Sequence, residues 1–553
     1  MKTPLIVLAA ALASGISPPG ARAVTPPEPE SARGAFFAKK AYDPHPLPTF
    51  AALRDQLPAP VFDEQPDWIP LYWKAWELAC RNFHEPAPGS HFVSQFIDAA
   101  FNQNTFLWDS CFMSMFCNVA HPLVPGIGSL DNFYARQHDD GEIGRELSRA
   151  TGMDYEPWVN RDGRSLLSRN GWEPPYRSEA AVIYRDRPAP EPPPRLTLDA
   201  LDNPLPAWAE LESLRVTGDR ARLALVYPPL EHYYRALQKY LRQGNGLYVT
   251  DWASMDNSPR NDFLGAGGTA VDTSCQMALF ARDLATMAAL LGRPAEAQAF
   301  TREADALSAT INRLMWDPAQ QFYFDLTLDG RRAPVKTVAA FWALLGRVAS
   351  ADQAAALVAQ LRNPKTFGRP LRVPTVAADE PGYDPAGGYW RGSVWPPTTM
   401  MVLRGLERYG YAAEARLIAL NNLDFMSRVF RDTGTIWENY APEAAKPGQP
   451  AKADLVGWSG LPPIGWLLEY AIGLKPDALR NELAWKLVSL QRQGCARYRF
   501  NGHVVSLLAA PDPAAAGKFT ISVDSDGAFT LQLRRAQKSA TVAVHAGSQT
   551  VEF

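Results

Sequence analysis

The feature that most constrains the fold is a helical hydrophobic period that begins near residue 67 and persists for about 400 residues. In the clearest segment, apolar residues recur at three- and four-residue steps from Met277 to Leu291, and the pattern closes at Gly292. Pro294 then opens a second helix, which predicts an antiparallel αα-hairpin. Further helices are predicted at residues 67–83, 108–119, 127–138, 221–243, 336–346, 350–362, 394–408, 412–429 and 462–472. About a dozen helices in hairpins predict a mainly α protein built as an (α/α)6 toroid.

Three segments depart from the helical pattern. Residues 24–60 are rich in Pro and small residues and read as an extended lead-in to a toroid domain at 61–482. Residues 155–207 hold many prolines without periodicity, which predicts a long loop insertion over the barrel mouth. From about residue 483 apolar residues alternate in two-residue steps, so residues 483–553 are predicted to form a small antiparallel β domain. Asp526-Gly527 is expected at a hairpin turn in that domain.

The first 23 residues have the pattern of a secretory signal peptide. Lys2 supplies the charge, residues 5–12 supply a short apolar run, and Ala21-Arg22-Ala23 supplies a small-residue cleavage site. This pattern predicts a periplasmic or secreted protein, and no later stretch is apolar enough for a membrane span. The net charge of −3 offers no basic footprint for nucleic acid. The spacing of eight His and five Cys fits no metal site, so no cofactor is expected. The oligomeric state is left open.

Two acidic motifs, roughly 180 residues apart, carry the strongest chemical signal. Asp256 lies in the run Ser254 to Arg260, and Glu438 lies in the run Gly434 to Pro442. Two carboxylates among aromatic residues suit hydrolysis of a glycosidic bond, in which one acid protonates the leaving oxygen and the other activates water. Asp256 is predicted to be the general acid, because an apolar setting raises a carboxyl pKa. Glu438 is then the base. A helix N-cap for Asp256 and a buried structural role for Glu438 are the alternatives.

Further candidate sugar-binding residues share a position in loops at the starts or ends of predicted helices, where they would line one rim of a toroid. Aromatic rings offer flat faces to sugar C–H groups, while amide, guanidinium and carboxylate groups bind hydroxyls. These candidates are Trp108, Asp109, Gln137, Asn257, Arg260, Trp390, Arg391, Trp395, Trp437, Tyr440 and Trp458. The alternatives are a helix cap for Asp109, a plain turn for Gln137 and core packing for the tryptophans.

At these motifs the chain resembles the clan of inverting α/α-barrel glycosidases that includes the trehalases and glycoside hydrolase family 63, in particular its bacterial mannosylglycerate and glucosylglycerate hydrolase type. The similarity rests on Trp108-Asp109-Ser110, Ser254 to Arg260, Tyr389 to Pro397, Trp437-Glu438-Asn439-Tyr440 and Gly457 to Gly460. The resemblance implies that Asp256 is the general acid and Glu438 the general base. It also implies that Asp109, Arg391 and the nearby tryptophans hold the nonreducing-end sugar. Ser393, where the family often has Pro, the insertion and the leader depart from the pattern.

The leading hypothesis is therefore a secreted or periplasmic inverting exo-α-glycosidase that acts on a glucose- or mannose-type α-glycoside. The expected partner is a small-molecule or oligosaccharide substrate. One alternative keeps the toroid and changes the specificity or chemistry, as in an α-L-rhamnosidase or a polysaccharide lyase. Another alternative is a non-catalytic sugar-binding protein of glycosidase descent.

Overall fold

The computed structural model describes residues 29–154, 203–249, 255–264, 268–515 and 517–553. The predicted signal peptide lies outside the described residues, as does the predicted loop insertion apart from residues 203–207. No helix within the described ranges is long and apolar enough to cross a membrane.

The helical part of the chain follows the predicted pattern closely. In chain order the α-helices are α1 Phe50–Leu53, α2 Trp68–Arg81, α3 Leu107–Cys117, α4 Ser129–Ala135, α5 Pro206–Thr217, α6 Arg220–Leu241, α7 Asn261–Leu264, α8 Val271–Leu290, α9 Pro294–Met315, α10 Trp342–Leu345, α11 Ala351–Arg362, α12 Pro396–Arg408 and α13 Ala412–Thr433. A π-helix spans Leu461–Ile472, and 3-10 helices span Glu30–Ala32, Asn118–Ala120, Val338–Phe341, Trp458–Gly460 and Ala478–Arg480. Helix α5 was not predicted from the sequence, whereas the other long α-helices were.

The predicted αα-hairpin of α8 and α9 is confirmed. Gly292 adopts a left-handed conformation (φ +74°) between the helices, and Pro294 occupies the first turn of α9, where its missing N–H costs nothing. In α9 the buried residues include Phe300, Ala304, Leu307 and Ile311, which lie on one face. This face packs on α8, whose side chains are buried nearly all round.

Six helical segments close into an inner ring among the described residues. Helix α3 packs on α5, α5 on α8, α8 on α10, α10 on α12, α12 on the π-helix, and the π-helix back on α3. Helices such as α6, α9 and α13 pack on the outside of this ring. Three inner helices carry Trp108, Trp208 and Trp342, and the Trp342 ring contacts the other two, with centroids 6.4 Å from Trp108 and 6.1 Å from Trp208. The chain is therefore a mainly α toroid of the predicted kind.

The C-terminal region is a β domain of two sheets. Its strands are β8 Leu474–Asp477, β9 Glu482–Lys486, β10 Gln493–Phe500, β11 His503–Pro511, β12 Phe519–Ser525, β13 Phe529–Arg535, β14 Lys538–Val544 and β15 Gly547–Glu552. One sheet has the order β1-β10-β11-β12-β15, with β1 Ala59–Phe62 coming from the predicted lead-in, and the other has the order β14-β13-β9-β8. All pairs are antiparallel except β13 with β9.

The prediction of a hairpin turn at Asp526-Gly527 is wrong. Strands β12 and β13, which flank this dipeptide, belong to different sheets. Asp526 instead accepts a hydrogen bond from the N–H of Val504 through its carboxylate (3.0 Å), so the connection is tied to β11. The tight turn lies at Asn501-Gly502, where both residues have positive φ and Phe500 pairs with His503.

Four short strands complete the part of the toroid that matters for the site. Strand β4 Asn104–Phe106 pairs with β5 Glu146–Ser148 to form a two-stranded ribbon, which we call the β4–β5 ribbon. Phe106 N-caps α3, and Leu107 donates its backbone N–H to the carbonyl of Arg145 (2.9 Å). The ribbon thereby fixes the start of an inner helix. Strands β2 Phe83–His84 and β3 Phe96–Ile97 form a second ribbon nearby in sequence. Strands β6 Trp316–Asp317 and β7 Phe322–Tyr323 form a third ribbon after α9.

Candidate active site

A cavity of about 90 Å³ lies where several inner helical segments begin. It receives Asp109 from the first turn of α3, Trp395 from the N-cap of α12 and Trp458 from the 3-10 turn before the π-helix. Its lining consists of Phe101, Phe106, Trp108, Asp109, Arg145, Asp256, Tyr389, Trp390, Trp395 and Trp458. Seven of these ten side chains are aromatic and three are charged, a composition typical of a small-molecule site with a few convergent polar groups.

Asp256 reaches this cavity from a turn that is tied down on both sides. The side-chain amide of Asn261, in α7, donates to the backbone carbonyls of Met255 and Asp256 (2.9 Å each). Asn257 donates to the carbonyl of Gly388 (3.1 Å) and accepts from the N–H of Trp390 (2.9 Å). The neighbour of the predicted acid therefore joins its turn to the segment that carries the cavity's tryptophans.

Burial raises the pKa of the Asp256 carboxyl to about 7. The charge of Arg145 opposes this rise, while the charge of Glu438 adds to it. A carboxylate that caps a helix is held ionised by backbone N–H groups, which lowers its pKa. The observed direction is the opposite one, so the side chain has the electrostatics of a proton donor at neutral pH.

Glu438 lies next to the cavity, buried to 3% exposure behind Tyr389. The Tyr389 hydroxyl donates to its Oε1 (2.9 Å), and the backbone N–H of Lys452 donates to its Oε2 (3.1 Å). Its own backbone carbonyl accepts from the indole N–H of Trp458 (2.9 Å). Burial raises the pKa of Glu438, and the Tyr389 and Lys452 hydrogen bonds oppose that rise. Each carboxylate oxygen keeps a lone pair with which it can accept a proton from water.

Tyr389 is held in an uncommon backbone conformation beside these two acids. Its φ of +64° lies in the left-handed region, which bulky residues rarely adopt and which persists only where the surroundings impose it. Its backbone carbonyl accepts a hydrogen bond from the indole N–H of Trp395 (3.2 Å), and the two rings meet edge to face. In this conformation the Tyr389 hydroxyl donates to Glu438.

Aromatic rings form a continuous wall of the cavity. Trp390 and Trp395 stack with centroids 4.3 Å apart and planes 10° apart, and Trp458 lies 5.6 Å from Trp395. Such a wall presents flat apolar faces. Asp109 places a carboxylate on the same cavity and is 7% exposed.

Several residues predicted to bind sugar lie outside this lining. Arg260 is fully buried and pairs through both terminal nitrogens with Asp272 (2.8 Å each) and through Nε with Asp325 (3.2 Å). Its position is structural, because a buried arginine must be compensated by buried carboxylates. Gln137 is buried and donates to the backbone carbonyls of Gly141 and Pro229 (2.8 Å each), so it braces a turn against α6.

Three further candidates also lie behind the lining. Trp437 donates its indole N–H to the hydroxyl of Thr433 (3.1 Å), and Tyr440 accepts from the backbone N–H of Trp437 (3.1 Å). Both stabilise the segment that carries Glu438. Arg391 is half-buried, and its backbone carbonyl accepts from the N–H of Asp384 (2.8 Å). Asn257 acts through the loop contacts described above.

Four residues of the lining were not predicted as site residues from the sequence: Phe101, Phe106, Arg145 and Tyr389. The first three lie on the β4–β5 ribbon or on the loops beside it. The ribbon is braced by Glu146, whose carboxylate accepts from the side-chain amides of Asn102 (3.1 Å) and Asn104 (2.7 Å). Strands of three residues carry no periodicity that a sequence pattern could reveal. Tyr389 stands within a motif that was recognised, and only its strained φ singles it out.

Comparison with known proteins agrees with this architecture. A family model described as "Mannosylglycerate hydrolase MGH1-like glycoside hydrolase domain" matches residues 189–459, which include both acids. An uncharacterized protein of Borreliella burgdorferi is 27% identical over 304 residues, covering 53% of this chain and 63% of that protein. A mannosylglycerate hydrolase of Rubrobacter radiotolerans is 32% identical over 182 residues, covering 32% of this chain and 39% of that enzyme. The chain thus spans less than two thirds of the length of these relatives.

The crystal structure of the glycoside hydrolase family 63 mannosylglycerate hydrolase of Thermus thermophilus in complex with glucose has the same fold. The two align with a TM-score of 0.53 at 20% identity, over 71% of this chain and 99% of the other. The family match, the related sequences and the shared toroid agree with one another. The chain belongs to the clan of α/α-barrel glycosidases that includes glycoside hydrolase family 63 and the trehalases.

Proposed function

We propose that this protein is an inverting exo-α-glycosidase that hydrolyses a glucose- or mannose-type α-glycoside in the periplasm or outside the cell. The observation that carries the proposal is a pair of unlike carboxyl groups, Asp256 in the lining of the cavity and Glu438 directly behind Tyr389 of that lining. Asp256 has a pKa of about 7, and Glu438 is held by two hydrogen-bond donors. Glycoside hydrolysis requires a proton donor and a proton acceptor at one site.

Asp256 is the proposed general acid. At neutral pH a carboxyl group with a pKa near 7 is protonated in a large share of molecules, so it can donate its proton to the glycosidic oxygen as the bond breaks. Arg145, which lines the same cavity, then faces the carboxylate that remains. Its charge stabilises that carboxylate without holding the resting acid ionised.

Glu438 is the proposed general base. The hydrogen bonds from Tyr389 and from the backbone of Lys452 favour its ionised form, in which it can take a proton from water. That water would attack the anomeric carbon on the face opposite the leaving group, which inverts the configuration. Asp109 and the tryptophan wall would hold the reacting sugar between the two acids.

The site argues against the alternatives. A polysaccharide lyase needs a tyrosine or histidine free to act as base, whereas the Tyr389 hydroxyl donates to Glu438. A non-catalytic sugar-binding protein has no use for two carboxyl groups in unlike environments beside one cavity, one with a raised pKa and one held by two hydrogen-bond donors. Because the similar proteins are named mannosylglycerate hydrolases, mannosylglycerate belongs in the substrate screen beside α-linked disaccharides. The leader-like residues 1–23 support the extracytoplasmic location, which cell fractionation would test.

The experiment is a screen of α-linked disaccharides, glycosyl glycerates and p-nitrophenyl α-glycosides, with the product anomer followed by NMR. Asp256→Asn and Glu438→Gln should each lower kcat about 10²- to 10⁴-fold. Asp283 offers a matched control, because it is another buried aspartate with a pKa raised to about 7, and it lies on α8 away from the cavity lining. Asp283→Asn should therefore keep full activity. Retained activity in either active-site variant, or a product that first appears as the α-anomer, would refute the assignment.

A further inference from the structure

One aromatic side chain at the cavity is exposed although the others are packed. Among the described residues, the exposed large apolar side chains are Phe101, Leu328, Leu417, Leu479 and Leu490. Phe101, at 43% exposure, is the aromatic member of this set and the member that lines the cavity. An exposed ring that lines a cavity offers an apolar surface that a bound ligand can cover, and covering it removes apolar area from water.

The chain holds this ring in place through several contacts. Ala100, just before it, adopts a left-handed conformation (φ +56°), and its N–H donates to the carboxylate of Asp98. Asp98 is itself buried and pairs with Arg149 (2.7 Å). Asn102 follows Phe101 in the chain, and its side-chain amide donates to the carboxylate of Glu146 (3.1 Å). A strained residue fixed by a buried ion pair indicates a loop built to present Phe101.

Lys452 connects this loop to the base. Its ammonium group donates to the backbone carbonyls of Ala100 and Phe101 and lies 5.3 Å from the centroid of the Phe101 ring. Its backbone N–H donates to Oε2 of Glu438. The same residue thus sets the position of the exposed ring relative to the reacting groups. The Phe101 ring also contacts Phe106 at 6.4 Å with the ring planes 89° apart, and 43% of the residue remains exposed for a ligand to cover.

We propose that Phe101 is the platform of a leaving-group subsite, where it stacks against the apolar face of a second pyranose ring. This inference rests on the proposed function. The packed part of the lining, with Trp108, Asp109 and Trp395, suits the sugar whose anomeric carbon reacts. The leaving group lies on the side of the acid that protonates it, and Asp256, the proposed acid, lines the same cavity as the exposed Phe101 ring. The substrate class is therefore an α-linked disaccharide or the nonreducing end of an oligosaccharide, rather than a glycoside of a small acyclic alcohol.

The test compares substrates that differ only on the leaving-group side. An α-linked disaccharide fills both subsites, whereas the matching α-glycosyl fluoride has no second ring and needs no protonation by a ring-bearing leaving group. Phe101→Ala should lower kcat/KM for the disaccharide about three- to tenfold, the usual effect of a lost aromatic contact, and leave the fluoride unchanged. Phe101→Trp should keep or raise disaccharide activity. Leu328→Ala, a truncation of a similarly exposed side chain outside the cavity lining, should change neither rate.

Two results would overturn the subsite. An equal loss on both substrates would show that Phe101 only supports the cavity, and an unchanged disaccharide rate would show that the ring contacts nothing.

Binding provides a separate measurement that does not depend on turnover. Wild-type protein should bind the disaccharide more tightly than the monosaccharide, and Phe101→Ala should remove that difference. If the wild type binds both equally, the subsite is absent. If it binds the disaccharide more tightly but hydrolyses no α-glycoside or fluoride, the proposed function fails while the subsite stands.

Discussion

Replacing Asp256 with Asn should stabilise the protein at alkaline pH while it removes catalysis. The pKa of this carboxyl is about 7 in the folded protein, against an ordinary value of 3.8 that applies to the unfolded chain. The folded state therefore binds the proton more tightly than the unfolded state does. The stability contributed by the protonated group is fully present below pH 3.8 and is lost as the pH rises through 7. Asn keeps the shape of the side chain and has no charge to bury.

The magnitude follows from the size of the pKa shift. A rise from 3.8 to about 7 corresponds to about 4 kcal/mol of unfolding free energy above pH 8. Because Asp256 is half-buried and faces a cavity that water can enter, about 2 kcal/mol is the more realistic gain. For a chain of 553 residues this is a rise in Tm of about 2 °C. The gain should vanish near pH 4, where both wild type and variant are neutral.

The assay is thermal unfolding of wild type, Asp256→Asn and Asp283→Asn at intervals from pH 4.5 to 8.5. Both variants should gain stability over wild type as the pH rises, because burial raises both carboxyl pKa values to about 7. Activity should fall in Asp256→Asn alone. A variant at position 256 that is less stable than wild type at pH 8 would show that the ionised carboxylate is a stabilising cap, and the assignment of the general acid would fail.

The helices of the toroid could be predicted because each carries its own periodic stripe of apolar residues. The hairpin from Met277 to Leu314 shows why, since a glycine and a proline mark its turn and one face of the second helix is apolar. Helix α5 was missed because the Pro-rich stretch before it extends to Pro206, which opens the helix itself. Its Trp208 is one of the three rings at the centre of the inner helices.

The β domain shows what local sequence cannot decide. Asp526-Gly527 and Asn501-Gly502 are equally good turn dipeptides, yet only the second joins paired neighbouring strands. Pairing is set by which sheet each strand packs into, and this depends on contacts far along the chain. The parallel pair of β13 with β9 and the recruitment of β1 from near the N-terminus arise in the same way.

At the site, the motifs identified which chemical groups are present, but they could not show which of these groups lie close together. Asp256, Trp390, Trp395 and Trp458 were predicted from motifs and line the cavity or its wall. Arg260 stands in the same motif as Asp256 and yet turns into the protein, because two buried aspartates attract its charge. One motif can contain both residues that line the cavity and residues that stabilise the local fold. Only the bonding partners of each side chain, which the structure provides, distinguish the two kinds.

The remaining predictions address the groups around the two acids. Tyr389→Phe removes a hydrogen bond that lowers the pKa of Glu438, so the acidic limb of the kcat/KM profile should move to higher pH, as steady-state kinetics would show. Arg145→Met removes a charge that lowers the pKa of Asp256, so the basic limb should also move to higher pH; an unmoved limb would exclude Asp256 as the acid. Arg260→Met should cost about 3–5 kcal/mol of unfolding free energy, because it leaves two buried aspartates uncompensated. Denaturant unfolding would measure this loss, and the protein that remains folded should keep the wild-type KM. If instead KM rises while stability is unchanged, Arg260 contacts the sugar, and the partners that the structure gives it do not describe its role.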